Sequence, residues 1–141
     1  MNFTVACLAP TGNAASNLPN GLTIHHTFSF STTMGTMSKF PADMTTEQIN
    51  RLKNRMDTST LVCIIIDEIS YVSPQLLAQI DNRLRQLMAC PETPFGGISI
   101  ILLGDFFQLP PVNEKNLFSS TWTIFGLHKE LQFRRRIKPN N

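Results

Sequence analysis

Three stretches of the 141-residue chain are apolar almost without interruption: "FTVACLAP" (3–10), "LVCIIID" (61–67) and "ISIILLGD" (98–105). None alternates apolar and polar positions as a strand with one wet face would. Short continuous runs of this kind read as strands buried on both faces, the pattern of a parallel sheet covered by helices. Between the second and third runs lies "SPQLLAQIDNRLRQLMAC", in which Leu76, Leu77, Ile80, Leu84, Leu87 and Met88 fall on one stripe at helical spacing. Ser73 is placed to cap that helix, and Pro74 suits its first position, where a missing N–H costs nothing. "PETPFGG" then breaks the chain before the third run. Strand, helix and strand with a crossover of this length predict a parallel β-α-β unit.

A second helix is expected over about 46–56. Thr45 and Gln48 have capping-box spacing, and Ile49, Leu52 and Met56 share a face. Residues 29–44, "SFSTTMGTMSKFPADM", show no period and read as a loop. No internal repeat or long low-complexity tract interrupts this order. The expected fold class is α/β, a mostly parallel sheet flanked by helices.

Composition adjusts this picture modestly. Apolar residues make up 42% and charged residues 16%, a globular balance in a chain long enough for one domain with a core. A net charge of +2 is too small to imply a polyanionic partner by itself. Its distribution is uneven: residues 1–38 carry no Asp, Glu, Lys or Arg, whereas Lys129, Arg134, Arg135, Arg136 and Lys138 crowd the C-terminal end. That cluster reads equally well as a solvated tail or as a phosphate contact. Cys7, Cys63 and Cys90 are odd in number and widely separated, and no Cys or His spacing suits zinc, so a reducing compartment is expected. No apolar run approaches the roughly 18–20 residues that span a bilayer, and the N-terminus lacks the basic segment of a signal peptide. The expectation is a soluble intracellular protein with no membrane partner.

The chemistry gathers at the strand ends. In open parallel sheets, ligands bind beyond the carboxyl ends of the strands, and the three runs end in "APTGNAAS", "DEIS" and "GDFFQLPP". Asp67 and Glu68 follow five aliphatic or thiol-bearing residues, where a carboxylate is costly without a cation or donor. A random Asp-Glu pair is most often a turn acid beside a solvated one. Placed here, the pair suits nucleoside triphosphate hydrolysis, one acid serving a magnesium ion and its neighbour the attacking water. In "GDFFQLPPV", Asp105 and Gln108 sit on a segment stiffened by Phe106, Phe107, Pro110 and Pro111. Two prolines cut the freedom of the loop, so Gln108 is preorganised. The plainer reading has the phenylalanines capping the core and Gln108 facing solvent.

In order along the chain, "APTGNAASNLPNGLTIHHTF", "IIIDEISYVSPQLL", "FGGISIILLGDFFQLPPV" and "WTIFGLHKELQFRRR" resemble the helicase motifs of the Pif family of superfamily-one DNA helicases. "GDFFQLPPV" is the specific element; an Asp-Glu pair is common to many ATPases. The resemblance implies a RecA-like P-loop motor domain coupling ATP hydrolysis, with Mg2+, to 5′-to-3′ movement on single-stranded DNA and at duplex junctions. It implies roles in DNA repair, recombination or telomere and genome maintenance, and a nuclear or mitochondrial location. It assigns Asp67 to magnesium, Glu68 to the attacking water and Gln108 to sensing the γ-phosphate, with Asp105 on the same nucleotide side. One of Arg134, Arg135 and Arg136 matches the arginine that stabilises charge on the transferred phosphoryl group, and the triple run does not choose between them. Pro10, Thr11, Gly12 and Asn13 match the motif that grips the single strand, with Asn13 and Ala14 opening the next turn or helix. Thr23 and His25 match a Thr-Ile-His element on the DNA side. His25 reads equally well as an ordinary, partly buried histidine. Contacts through neutral side chains and backbone N–H groups would also account for the uncharged first 38 residues. Tyr71 and His26 depart from the methionine and serine commoner in the family.

No Gly-x-x-x-x-Gly-Lys-Ser/Thr occurs in the chain. The resemblance puts that phosphate loop just before Phe3, and a second motor domain beyond Asn141. The expectation is a part of the first motor domain that alone neither hydrolyses ATP nor unwinds duplexes, and whose unpaired strand edges associate. Two other readings compete: a non-catalytic nucleic-acid-binding remnant, and an unrelated P-loop ATPase, against which "GDFFQLPPV" argues. The helicase part of a mobile element is a third setting for the same motifs.

Overall fold

The three apolar runs become neighbouring strands of one sheet. In the computed structural model, which describes residues 4–30 and 43–105, β1 (Thr4–Ala9), β2 (Leu22–Thr23), β3 (Leu61–Ile66) and β4 (Ser99–Leu102) pair in parallel in the order β2-β1-β3-β4. Five-residue helices follow the first two strands, α1 (Gly12–Ser16) and α2 (Ile24–Phe28). Longer ones, α3 (Thr46–Met56) and α4 (Pro74–Leu87), precede and follow β3.

The register decides which side chains are buried. Ala6, Ile64 and Ile100 lie abreast on adjacent strands, as do Leu8, Ile66 and Leu102. These rows face the main core, where Leu8, Ile64 and Ile66 meet Ile24 and Phe28 of α2, Leu52 and Met56 of α3, and Leu77, Ile80 and Leu84 of α4. Burying a side chain of this size fully contributes about 1.5–3 kcal/mol, so among the described residues this layer is the main source of apolar burial. The alternate rows, Val5 with Cys63 and Ser99, and Cys7 with Ile65 and Ile101, point the other way. Among the described residues that second face is covered at its carboxyl end, where Ala9 packs with Ala14, Ala15 and Leu18. Further along, Val5 is 48% and Ile101 46% exposed. Among the described residues α2, α3 and α4 all gather on the same side, so the cover expected on both faces is seen there on one face and at the carboxyl end of the other. A continuous apolar run says that both faces avoid charge; it does not say that both are covered.

Both long helices begin as their sequences predict. Ser73 Oγ accepts the Leu76 N–H at 3.1 Å, with Pro74 at the first position of α4. Thr45 and Gln48 form a reciprocal capping box, Gln48 N donating to Thr45 Oγ1 at 3.3 Å and Thr45 N to Gln48 Oε1 at 2.9 Å. Arg55, near the end of α3, donates to the carbonyls of His26 and Thr27 and to Ser29 Oγ, closing the end of α2. In the stretch read as a loop, Ser29 caps α2, and Gln86 of α4 holds Asp43 and the Met44 N–H; residues 31–42 lie outside the described residues. The turn or helix expected to open at Asn13 and Ala14 is α1, whereas β2 and α2 were not expected as separate elements. Each is shorter than two helical turns or two pleats, too short to register as a period.

Candidate functional site

Because all four strands run the same way, the three polar strand ends meet on one edge of the sheet, as the sequence predicts. They are joined there by backbone hydrogen bonds. Asp67 N donates to Leu8 O at 2.9 Å, tying the end of β3 to β1. Leu103 N donates to Ile66 O at 2.8 Å and Leu103 O accepts from Ile69 N at 2.9 Å, tying β4 to both sides of the Asp67–Glu68 pair. The acidic pair is thus fixed between its two neighbours before any side chain is considered.

Glu68 adopts φ 51° and ψ 47°, the left-handed region that non-glycine residues rarely occupy. Its N–H is taken by Asp67 Oδ1 at 2.8 Å, and a single 3-10 turn over Ile69–Tyr71 follows, of which Ile69 and Ser70 are buried. This geometry turns the chain sharply off the strand, leaving Asp67 and Glu68 half-buried at the rim. Gly104, at φ 144°, is pressed against that turn: a Cβ there would stand 2.8 Å from Ile69 N and 3.4 Å from Glu68 C. The "GD" of the third strand end therefore abuts the "DE" of the second, with exposed Asp105 following.

On the other side of the pair, β1 ends in Pro10 and Thr11. Thr11 Oγ1 accepts the Ala14 N–H at 3.2 Å, starting α1, and donates to Glu68 Oε2 at 3.4 Å. Gly12 and Asn13 form the exposed first turn of α1. Ala9 pairs with Thr23 across β1 and β2, which places Thr23 next to this turn. Thr23 caps α2 as Thr11 caps α1, accepting the His26 N–H at 3.3 Å. The His25 ring packs edge-on against Phe30, with centroids 6.3 Å apart, the environment of an ordinary, partly buried histidine.

The structure thus brings Asp67, Glu68, Asp105, Pro10, Thr11, Gly12, Asn13 and Thr23 to one rim and packs the His25 ring against Phe30. Gln108, Arg134, Arg135 and Arg136 lie outside the described residues. Sequence reasoning did not find the contact between Thr11 and Glu68, 57 positions apart, since no local pattern encodes it. Nor did it find the close approach of Gly104, whose only signal is a glycine directly after a strand.

Among the described residues no group of three or more His, Cys, Asp or Glu side chains could enclose a metal ion. An oxygen-only rim with Asp67 at its centre fits a hard cation held by one or two carboxylates and completed by water and ligand phosphates, the habit of magnesium.

The PIF1-like helicase family model matches residues 2–125. The ATP-dependent DNA helicase PIF6 of Trypanosoma brucei brucei is 44% identical over 82 residues, 52% of this chain and 10% of that protein. The ATP-dependent DNA helicase PIF1 of Saccharomyces cerevisiae is 35% identical over 111 residues, 78% of this chain and 12% of that protein. Among solved structures, unliganded Pif1 from Bacteroides sp. superposes with a TM-score of 0.62 at 34% identity, over 81% of this chain and 25% of that one. Bacteroides Pif1 in complex with ADP-AlF3 and single-stranded DNA superposes with a TM-score of 0.61 at 34% identity, over 82% of this chain and 25% of that one. The chain therefore spans a small part of the length of these relatives. A match running through both the acidic turn and the strand that abuts it, shared with structures of the same RecA-like architecture, makes this chain a member of the PIF1-like helicase family.

Proposed function

We propose that this chain contributes part of the nucleotide site and part of the single-strand site of an ATP-dependent, 5′-to-3′ DNA helicase. The observation that carries the reading is the backbone stitching of the three strand ends, which sets Asp67–Glu68 between the Thr11 turn on one side and the Gly104–Asp105 turn on the other. A rim with acids at its centre and neutral hydroxyl and amide groups on one flank suits two ligands, one needing a cation and one approached through uncharged donors. Support comes also from the Bacteroides relative, whose solved complex holds ADP-AlF3 and single-stranded DNA.

Asp67 would hold Mg2+, which when bound supplies charge stabilisation to the terminal phosphates. Glu68, set by its left-handed backbone at the edge of the turn, orients the attacking water and accepts its proton. Asp105 and Gln108 belong to the nucleotide side, as does one of Arg134, Arg135 and Arg136. Pro10, Thr11, Gly12, Asn13 and Thr23 form the single-strand side, with His25 the further candidate on α2. Duplex junctions are the substrate, genome maintenance through repair or recombination is the setting, and the nucleus or mitochondrion is the compartment.

The test is strand displacement and ATPase measurement with the full-length protein that carries this chain, on duplexes with 5′ or 3′ single-stranded tails. Unwinding from the 5′ tail, with ATPase activity lost in Glu68→Gln, is the expected result. Unwinding only from the 3′ tail, or unchanged turnover in Glu68→Gln, would overturn the assignment.

A further inference from the structure

The Thr11 hydroxyl stands between the two halves of the site. It has one proton to give, and in this structure that proton goes to Glu68 Oε2. Its lone pairs serve the Ala14 N–H, so the helix cap does not depend on where the proton points. The Glu68 backbone cannot follow a moving partner: its N–H is held by Asp67, the next N–H by Leu103 O, and Gly104 fills the space behind the turn. Only the Glu68 carboxylate is left to swing. At 3.4 Å its bond to Thr11 is long, and so readily exchanged for another acceptor. Thr11 itself is exposed.

Building on the function proposed above, we propose that Thr11 is a positioning residue that couples single-strand binding to ATP hydrolysis by choosing between two acceptors. Without DNA, Thr11 donates to Glu68 and holds its carboxylate toward β1, away from the water it must orient. A backbone phosphate oxygen arriving at the Pro10–Asn13 turn is a competing acceptor. When it takes the hydroxyl proton as a hydrogen bond, Glu68 is released. Thr11 keeps its proton covalently throughout; only the acceptor changes. Coupling of this kind is reciprocal: whatever frees Thr11 from Glu68 must strengthen binding of the single strand. A long hydrogen bond to a carboxylate places the effect near the lower end of the usual range, about 5-fold.

The experiment is a double-mutant cycle on nucleotide-free single-strand affinity, using the full-length protein. Glu68→Ala removes both a negative charge and an acceptor, and Thr11→Val keeps the shape but removes the donor together with the Ala14 cap, a loss common to both Glu68 backgrounds. The charge effect is common to both backgrounds, so coupling is the excess tightening seen with Thr11 present, expected at about 5-fold. DNA-free ATPase is expected to rise by a similar factor in Thr11→Val, and Thr11→Ser, which keeps the hydroxyl, restores the coupling. A residue that only capped α1 would lower both activities without non-additivity. A second comparison needs no change at Thr11: Glu68→Gln and Glu68→Ala are equally neutral, but only Gln can still accept from Thr11, so Glu68→Ala should bind the strand more tightly. An additive cycle, or equal affinities for those two variants, overturns the coupling alone. A full-length protein that neither hydrolyses ATP nor binds single-stranded DNA overturns both the coupling and the function on which it rests.

Discussion

The Asp81 carboxylate, midway along α4, accepts the backbone N–H of Phe95 in the turn that leads into β4. The same carboxylate takes the Arg85 Nε–H at 2.8 Å, and Arg85 in turn donates to Pro91 O. One acid thus anchors the whole "PETPFGG" connection to the helix that precedes it. Its side chain is only 9% exposed, so removal leaves a buried N–H without an acceptor and Arg85 without its carboxylate. Asp81→Ala is expected to lower the unfolding free energy by about 3 kcal/mol, the usual result of deleting one member of a buried pair. Urea denaturation checks this, and a loss below about 1 kcal/mol would mean that the turn is held by something else.

The turn itself demands glycine at position 96. Gly96 has φ 61°, and a Cβ there would stand 2.5 Å from Leu84 O and 2.8 Å from Met88 Cβ. Gly96→Ala therefore forces the connection off the end of α4. The predicted outcome is a loss of about 1–3 kcal/mol, read as a lower denaturation midpoint with an unchanged slope.

Gly104→Ala addresses the site rather than the fold alone. The added Cβ would meet the Glu68–Ile69 peptide, which has no flexible end to move aside. The expected signature is an ATPase defect in the full-length protein, at least tenfold in kcat, exceeding what its modest destabilisation explains. If the variant melts early but turns over normally, Gly104 serves packing and not the placement of Glu68.

Burial, and then the neighbouring Cys7, push the Cys63 thiol up from its ordinary value. The thiolate is the nucleophile, so raising the pKa depletes the reactive form at neutral pH. Alkylation of Cys63 by iodoacetamide, followed by mass spectrometry, should be slow at pH 7 and still accelerating above pH ~8.5, the free-thiol value. Cys7→Ser removes the second cause and should speed the reaction modestly. A rate that levels off below pH ~8 would show that neither cause operates.

The face carrying Val5, Ile65 and Ile101 offers a last expectation. Val5 and Ile101 are each nearly half exposed, and β4 has a free edge on the described sheet. The 141-residue polypeptide handled by itself should bind the dye ANS and associate as its concentration rises. Ile101→Lys should reduce both. Sedimentation of a dye-negative monomer at high concentration would contradict this.

What the sequence made legible follows the range of each interaction. The three strands, the caps at Ser73 and Thr45, and the stripe Leu76, Leu77, Ile80, Leu84, Leu87 are patterns within a single window, so reading along the chain recovers them. The shared rim was legible too, because parallel strands with polar ends can only end together. The bond between Thr11 and Glu68, the seat of Gly104 on the Ile69 peptide and the hold of Asp81 on Phe95 are matters of register and approach. They depend on which residue of one strand lies beside which of another, and no periodicity records that. Which helix lies over which face was not legible for a related reason, since an apolar side chain looks the same in a sequence whatever covers it.

Leu103 commits both of its backbone groups to β3 and its turn, giving its N–H to Ile66 and taking the N–H of Ile69. Mechanically this is a rivet set on either side of a corner. Tension arriving along the polypeptide from beyond Gly104 finds no slack there and passes directly into the peptide that carries Glu68. If the proposed function holds, such stiffness would let displacement and catalysis travel through the same few covalent links.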